Sequence, residues 1–247
     1  SGSLLRIRLR VRIAPPEHQL FLISEFILGT EPQIEYSESR DMANPKNLEN
    51  PPIREALVDI RTILPNDVDP RSFELLQDVI KEEFPIKETR YQYEAMFEVK
   101  ENKPTAKDPT SKHIGYFFKN QANRKIVQAR LDGFTFNLIN SYQDGDSFLQ
   151  EARKHWESYK AQANPVQISR VALRYINRID IPLPVNSLEE YLNIFPQVPT
   201  GLNYALENFF VRLELVDTKN DNRANVTQTI DKKSNTSGVL PLIFDID

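Results

Sequence analysis

The stretch Ile60-Arg61-Thr62-Ile63-Leu64-Pro65-Asn66-Asp67-Val68-Asp69-Pro70-Arg71-Ser72-Phe73-Glu74-Leu75-Leu76 decides the reading of this chain. It ends a strand, Ala56–Leu64, in which Ala56, Val58 and Ile60 alternate with Leu57, Asp59 and Arg61. Asp69-Pro70 then opens a helix, with a capping carboxylate followed by a proline whose missing N–H costs nothing at the first helical position. Phe73, Leu76, Ile80 and Phe84 follow at helical spacing, and Pro85 stops the run. The same grammar returns at Ile179–Leu192: a strand, Leu183-Pro184, a short polar stretch, and the capping box Ser187-Leu188-Glu189-Glu190.

Working outward, Tyr91–Lys100 reads as a strand, and Ile114–Lys119 and Lys125–Ile139 as a hairpin through Asn120–Arg124, with a bulge at Asp132-Gly133. Asp146–Ala161 is a helix with Phe148, Ala152, Trp156 and Tyr159 on one stripe. Val166–Ile181 is a long strand, followed by a short helix with Tyr191, Leu192 and Phe195. Asn208–Asp217, Ala224–Lys232 and Val239–Ile246 are three more strands. The order β-α-β-β-β-α therefore restarts as β-α-β-β-β. The expected class is α+β: two similar lobes, 42–163 and 164–247, each an antiparallel sheet with helices on one face, the second lacking a final helix. This topology resembles a duplicated TATA-binding-protein-like saddle, which by itself carries no function.

Composition narrows the classes. The chain has 247 residues, 27% charged and 40% hydrophobic, which fits a globular protein and not a disordered or fibrous one. With no cysteine, disulfides, zinc–thiolate sites and thiol catalysis are excluded. No apolar run approaches the roughly 18 residues of a membrane helix, so no membrane association is expected and the chain reads as cytoplasmic. A net charge of -4 argues against nucleic-acid binding driven by overall charge. Residues 1–41 read apart from the body, either as sequence appended upstream, or as a basic N-terminal arm or a strand that adds to a sheet edge, since Arg6, Arg8, Arg10 and Arg12 alternate with apolar residues. Val239–Ile246 ends abruptly at Asp247 and suggests a truncated second lobe.

Three elements occur in order: Asn50-Pro51-Pro52-Ile53-Arg54-Glu55-Ala56, then Leu131-Asp132-Gly133-Phe134-Thr135-Phe136, then Arg170-Val171-Ala172-Leu173-Arg174-Tyr175-Ile176-Asn177-Arg178-Ile179-Asp180-Ile181-Pro182. Together they resemble a sporadically distributed family of uncharacterised bacterial and archaeal proteins. The resemblance covers about Asn47 to Asp247 and implies a prokaryotic origin, with no activity attached. It marks Arg54, Glu55, Asp132, Asn177 and Asp180 as motif positions of unknown role.

Chemistry-bearing patterns are few. There is no glycine-rich phosphate loop and no nucleophile elbow, and none of His18, His113 and His155 pairs at metal-ligand spacing, so no catalytic residue, cofactor or metal is assigned. A buried acid–base histidine would need the fold to bring it a carboxylate. The strand Val166–Ile181 places Arg170, Arg174 and Arg178 on one face, and Arg130 and Arg212 on neighbouring strands extend the row. Guanidinium forks suit phosphate or carboxylate, and Tyr91, Tyr93 and Tyr116 would add stacking surface where strand faces match. Against this, cross-strand pairs with Asp132, Asp180 and Glu214 are an ordinary way to finish a solvated sheet face. The leading expectation is a non-catalytic binding or accessory protein with a protein partner. A nucleic-acid or nucleotide-binding module on the arginine face comes second, and an enzyme built from dispersed residues such as Glu55, Asp132, Arg174 and Asn177 third. An open β edge on the second lobe would favour a homodimer.

Overall fold

The computed structural model describes residues 50–94, 97–100, 103–106, 110–199, 201–202, 204, 206–218, 222–232 and 237–247. The readings made of residues 1–41 lie outside them. Strands are β1 Ile53–Ile63, β2 Ile86–Glu94, β3 Phe97–Lys100, β4 Lys103–Ala106, β5 Thr110–Lys119, β6 Lys125–Arg130, β7 Gly133–Ile139, β8 Gln167–Pro182, β9 Phe210–Asp217, β10 Asn222–Ile230 and β11 Val239–Ile246. Helices are α1 Glu74–Ile80 and α2 Gly145–Ala163, with 3-10 turns at Pro70–Phe73 and Leu188–Glu190. Hydrogen bonding orders the strands β2-β5-β6-β7-β1-β8-β11-β10-β9 in a nine-stranded, mostly antiparallel sheet, and β3 pairs with β4 alone. The class is α+β. The chain divides into two compact units, Ala56–Leu173 and a second made of Arg174–Asp247 with the chain up to Glu55, so the division falls within β1 and β8.

In the unit Ala56–Leu173 the helices cover one face of the strands. Ala56, Val58 and Ile60 of β1 are buried, as are Phe73, Leu76, Ile80 and Phe84 around α1. On α2 the stripe Phe148, Ala152, Trp156, Tyr159 is buried in full. The ring of Phe134 on β7 lies 5.8 Å from Trp156 and 5.7 Å from Tyr159, so one strand and one helix interlock through aromatic rings. The buried Tyr159 hydroxyl donates to the Arg130 carbonyl at 2.9 Å, which satisfies it without water. Asp69 caps the 3-10 turn Pro70–Phe73 that leads into α1, as the sequence reading expects, whereas α2 begins at Gly145, one residue ahead of the expected start, under a cap from Asp144. Asp69 accepts from the Arg71 amide at 2.8 Å and Asp144 from the Ser147 amide at 2.8 Å. Asn164, at φ 44°, closes α2 in the left-handed conformation.

Asp132-Gly133 is a tight turn between β6 and β7, not a bulge in one long strand, since Arg130 pairs with Gly133 across it. Gly133 has φ +147°, and a Cβ there would lie 2.1 Å from the Ile60 carbonyl oxygen. Only glycine lets β7 approach β1 this closely. The reading of Tyr91–Lys100 as one strand is also corrected, because β2 ends at Glu94 and β3 begins at Phe97.

The second unit departs further from expectation. The helix expected after Ser187 is a single 3-10 turn, although Ser187 still accepts from the Glu189 amide at 3.2 Å. Asn193, Pro196 and Pro199 follow within one or two turns, too close for a helix to propagate. Instead the irregular segment lays Leu188, Tyr191, Leu192 and Phe195 onto Ile181, Leu242 and Phe209, building a small core without a helix. Here β10 pairs with both β9 and β11, and β11 pairs with β8.

Two glycine substitutions separate these constraints. Gly133→Ala is expected to cost about 3 kcal/mol or more, because neither its backbone angle nor its backbone neighbour can yield. Gly145→Ala, where the nearest atom would be the Tyr142 hydroxyl at 3.6 Å, is expected to be neutral or stabilising by up to about 1 kcal/mol. Denaturant titration of both variants checks the contrast.

Candidate functional site

The arginines singled out from sequence lie among carboxylates. Arg130 ends β6 on the face away from the helices, yet it is only 3% exposed. Its Nη2 donates to Asp59 Oδ1 at 2.9 Å, its Nε to Asp132 Oδ1 at 2.8 Å, and its Nη1 to the Thr135 hydroxyl. Thr135 in turn donates to Asp59 Oδ1 at 2.7 Å. Arg61 Nε donates to Asp59 Oδ2 at 2.9 Å and its Nη1 to Asp132, while Arg170 Nη1 reaches Asp59 Oδ2 at 3.4 Å. Asp59 is thus the node for strands β1, β6, β7 and β8 within this unit. Burial alone would raise its pKa. The hydrogen bonds from Thr135 and Arg130, and the charges of Arg130 and Arg61, outweigh that and hold the carboxyl below its ordinary value.

Arg90 is the cation the sequence reading missed. It sits on β2 at a register shift, donates Nη1 to Gln128, and lies 5.1 Å over the Phe117 ring. Burial, and then the charge of Arg130, lowers its pKa. The tyrosines do not join this face. Tyr116 is buried, with His113 at 4.8 Å edge-on, and Tyr91 lies 5.8 Å from the same His113 ring. Tyr116 also bonds to Glu74 of α1, which places it on the helix side.

In the second unit Arg174 grips Asp245 bidentately, Nε to Oδ1 at 2.9 Å and Nη2 to Oδ2 at 2.6 Å. That bond raises its pKa against burial, with Asp247 and Glu55 adding their charges. Arg178 bonds Asp180 at 2.9 Å and stands 3.7 Å from Asp231. Arg212 meets Glu214 and the Asn225 side-chain oxygen, both at 3.2 Å. Asn177 donates to the Phe244 carbonyl at 3.0 Å, tying β8 to β11. Arg54 is exposed and Glu55 half-buried at the start of β1. The structure therefore brings Arg130, Asp132 and Arg170 together around Asp59, and Arg178 with Asp180.

A separate cluster answers the question of a histidine with a carboxylate. His155 on α2 is 1% exposed, with Nε2 3.5 Å from Glu83 Oε2. Glu83, Glu151 and His155 offer ligand atoms within 4.8 Å of one another, the arrangement among the described residues that comes nearest to a metal site. Its carboxylates are already countered. Lys154 donates to Glu83 at 2.8 Å, and Lys125 bonds both Glu151 and Glu83. Burial pushes the His155 imidazole down to about 4, so it is neutral at pH 7. With its ring edge against Phe84 at 4.9 Å it fastens α2 to the end of α1. The shallow surface depression beside it is lined by Glu83, Lys125, Ser147, Gln150, Glu151 and Lys154, and another by residues around Trp156 and Val166. Neither holds Glu55 or Asn177.

The other unusual surface is apolar. Exposed hydrophobic side chains crowd one stretch: Leu202, Tyr204, Leu206, Phe210, Leu215 and Val216, with Tyr204 at 78% and Phe210 at 68%. No protein-family model, curated protein or solved structure matches the chain.

Arg130→Met is expected to destabilise the protein by about 3 kcal/mol, because it strands Asp59 in a buried site, and adding Asp59→Asn is expected to recover part of the loss. Equal losses in the single and double variants would contradict the pairing. His155 gives a pH dependence of known sign. The unfolded chain binds its proton near 6.5 and the folded chain near 4, so stability falls as pH drops through that window, by about 3 kcal/mol at most. His155→Leu should therefore gain on the wild type as pH falls from 6.5 to 4 in thermal melts. A constant difference would contradict it.

Proposed function

We propose that this chain is a non-catalytic binding protein that docks a protein partner through the apolar surface of residues 202–216. The observation that carries this reading is the exposure of six large apolar side chains in that stretch. Large apolar side chains left in water are costly, and where several fall in one stretch of chain they are candidates for an interaction site. The arginines, by contrast, are engaged. Arg130, Arg170, Arg174, Arg178 and Arg212 each meet a carboxylate, which leaves less of their charge for a phosphate backbone. The nucleic-acid alternative rests on Arg90, which bonds Gln128.

The prokaryotic family resemblance and a cytoplasmic location are parts of the same reading. No helix among the described residues is long and apolar enough to cross a membrane. An internal duplication is supported by one shared device: Leu64-Pro65 and Leu183-Pro184 each follow a strand and lead into a side-chain-capped 3-10 turn.

The test is capture from a lysate of the source organism, with and without nuclease. A protein that survives nuclease and is lost in Tyr204→Glu, at unchanged Tm, is the expected result. Nucleic acid that is released by salt and lost in Arg90→Glu or Arg170→Glu would overturn it in favour of the arginine face.

A further inference from the structure

We infer that β9 is built to pair antiparallel with β9 of a second copy of this chain, about a two-fold axis at Leu213. This deepens the docking reading above and rests on it. Among the described residues β9 stands last in the strand order, with one edge on β10 in an unbroken register from Asn222↔Asp217 to Thr229↔Phe210. A straight edge strand of eight residues leaves its outer N–H and C=O groups able to accept another strand. The strand at the other end of the order, β2, carries the usual protection, with a register shift at Arg90/Tyr91 and the charged residues Lys87, Glu88, Arg90 and Glu94. β9 has no register shift and two charged side chains in its middle, Arg212 and Glu214.

Those two charges select the register. In an antiparallel pair, directly opposed residues point to the same face. A two-fold axis at Leu213 sets Arg212 opposite Glu214 of the second copy and Glu214 opposite its Arg212. Val211 then faces Leu215, and Phe210 faces Val216. Arg212 and Glu214 meet each other within the strand at 3.2 Å, but their side chains are 54% and 73% exposed, as are Phe210 at 68% and Val216 at 57%, so each charge can also meet its opposite on a second copy. Moving the axis by one residue sets Arg212 against Arg212, or Glu214 against Glu214, and like charges directly opposed are unfavourable. The sequence of β9 is thus complementary to itself in one antiparallel register. An isologous two-fold contact requires that property, and an arbitrary partner strand would not. Each copy covers Phe210, Leu215 and Val216 of the other, which accounts for three of the six exposed apolar residues.

The experiment is sedimentation of the full chain over a wide concentration series, with charge-swapped variants. The wild type is expected to dimerise. Arg212→Glu and Glu214→Arg each place like charges together twice per dimer, and each is expected to weaken dimerisation by about tenfold or more. The double variant Arg212→Glu/Glu214→Arg is expected to restore it. The two single variants, mixed, are expected to form a heterodimer, because every opposed pair is then attractive. Circular dichroism melts confirm that each variant is folded. A monomeric wild type at every concentration overturns the inference, as does a dimer that the single charge reversals leave unchanged. Neither result touches the lysate capture through Tyr204, which lies outside β9, so failure of the second-copy pairing and failure of the docking reading are told apart.

Discussion

The charge on Asp59 is the constraint around which the unit Ala56–Leu173 is arranged. Its carboxylate, nearly buried, accepts from Arg130, Thr135 and Arg61 and faces Arg170. A buried carboxylate is costly unless it is paired and fully hydrogen-bonded, and this one is both. Its partners come from four strands, so the pairing fixes which side chains lie together on the face without helices. The opposite face is fixed by apolar packing, where Trp156 stacks on Tyr159 and the Phe134 ring meets Trp156 edge-on and Tyr159 at a tilt. One unit thus holds an apolar face and a polar face in register. The polar one adds specificity at little net gain in stability.

That arrangement governs what the molecule can do. Guanidiniums that complete buried or half-buried ion pairs are poor anion receptors, because a ligand must first separate them from their carboxylates. The Glu83–Glu151–His155 group is limited in the same way, since Lys125 and Lys154 occupy the positions where a cation would bind. The two polar clusters read as fastenings. The unspent free energy lies elsewhere, in apolar side chains at 202–216 that remain in water. The proposed docking role rests on this distribution of burial.

Much of the first unit was legible in the sequence, since local rules there agree with the tertiary outcome. Asp69-Pro70, the stripe Phe73–Leu76–Ile80–Phe84 and the stripe of α2 all sit where periodicity and capping put them. Gly133 was misread because a turn and a bulge share the same Asp-Gly signature, and only the pairing of Arg130 with Gly133 separates them. The helix after Ser187 was misread because a capping box reports a start and says nothing of length. Of the site, the ion pairing was foreseen as one outcome for Asp132, Asp180 and Glu214. Asp59 was not singled out, since a lone acid between Val58 and Ile60 looks like any solvent-facing strand position. Its role depends on strands more than 70 residues away, as with Arg130 at a separation of 71. The edge character of β9 was equally hidden, because no local pattern says which strand ends a sheet.

The proposed contact between two copies of this chain runs along the outer edge of β9. Amide hydrogen exchange of the full chain, measured at low and high protein concentration, tests it most directly. Added protection at high concentration is expected in Phe210–Asp217 alone, with β1, β6 and β7 unchanged. Exchange in Phe210–Asp217 that is the same at both concentrations, or protection that appears instead around Arg90, Arg130 and Arg170, would contradict it.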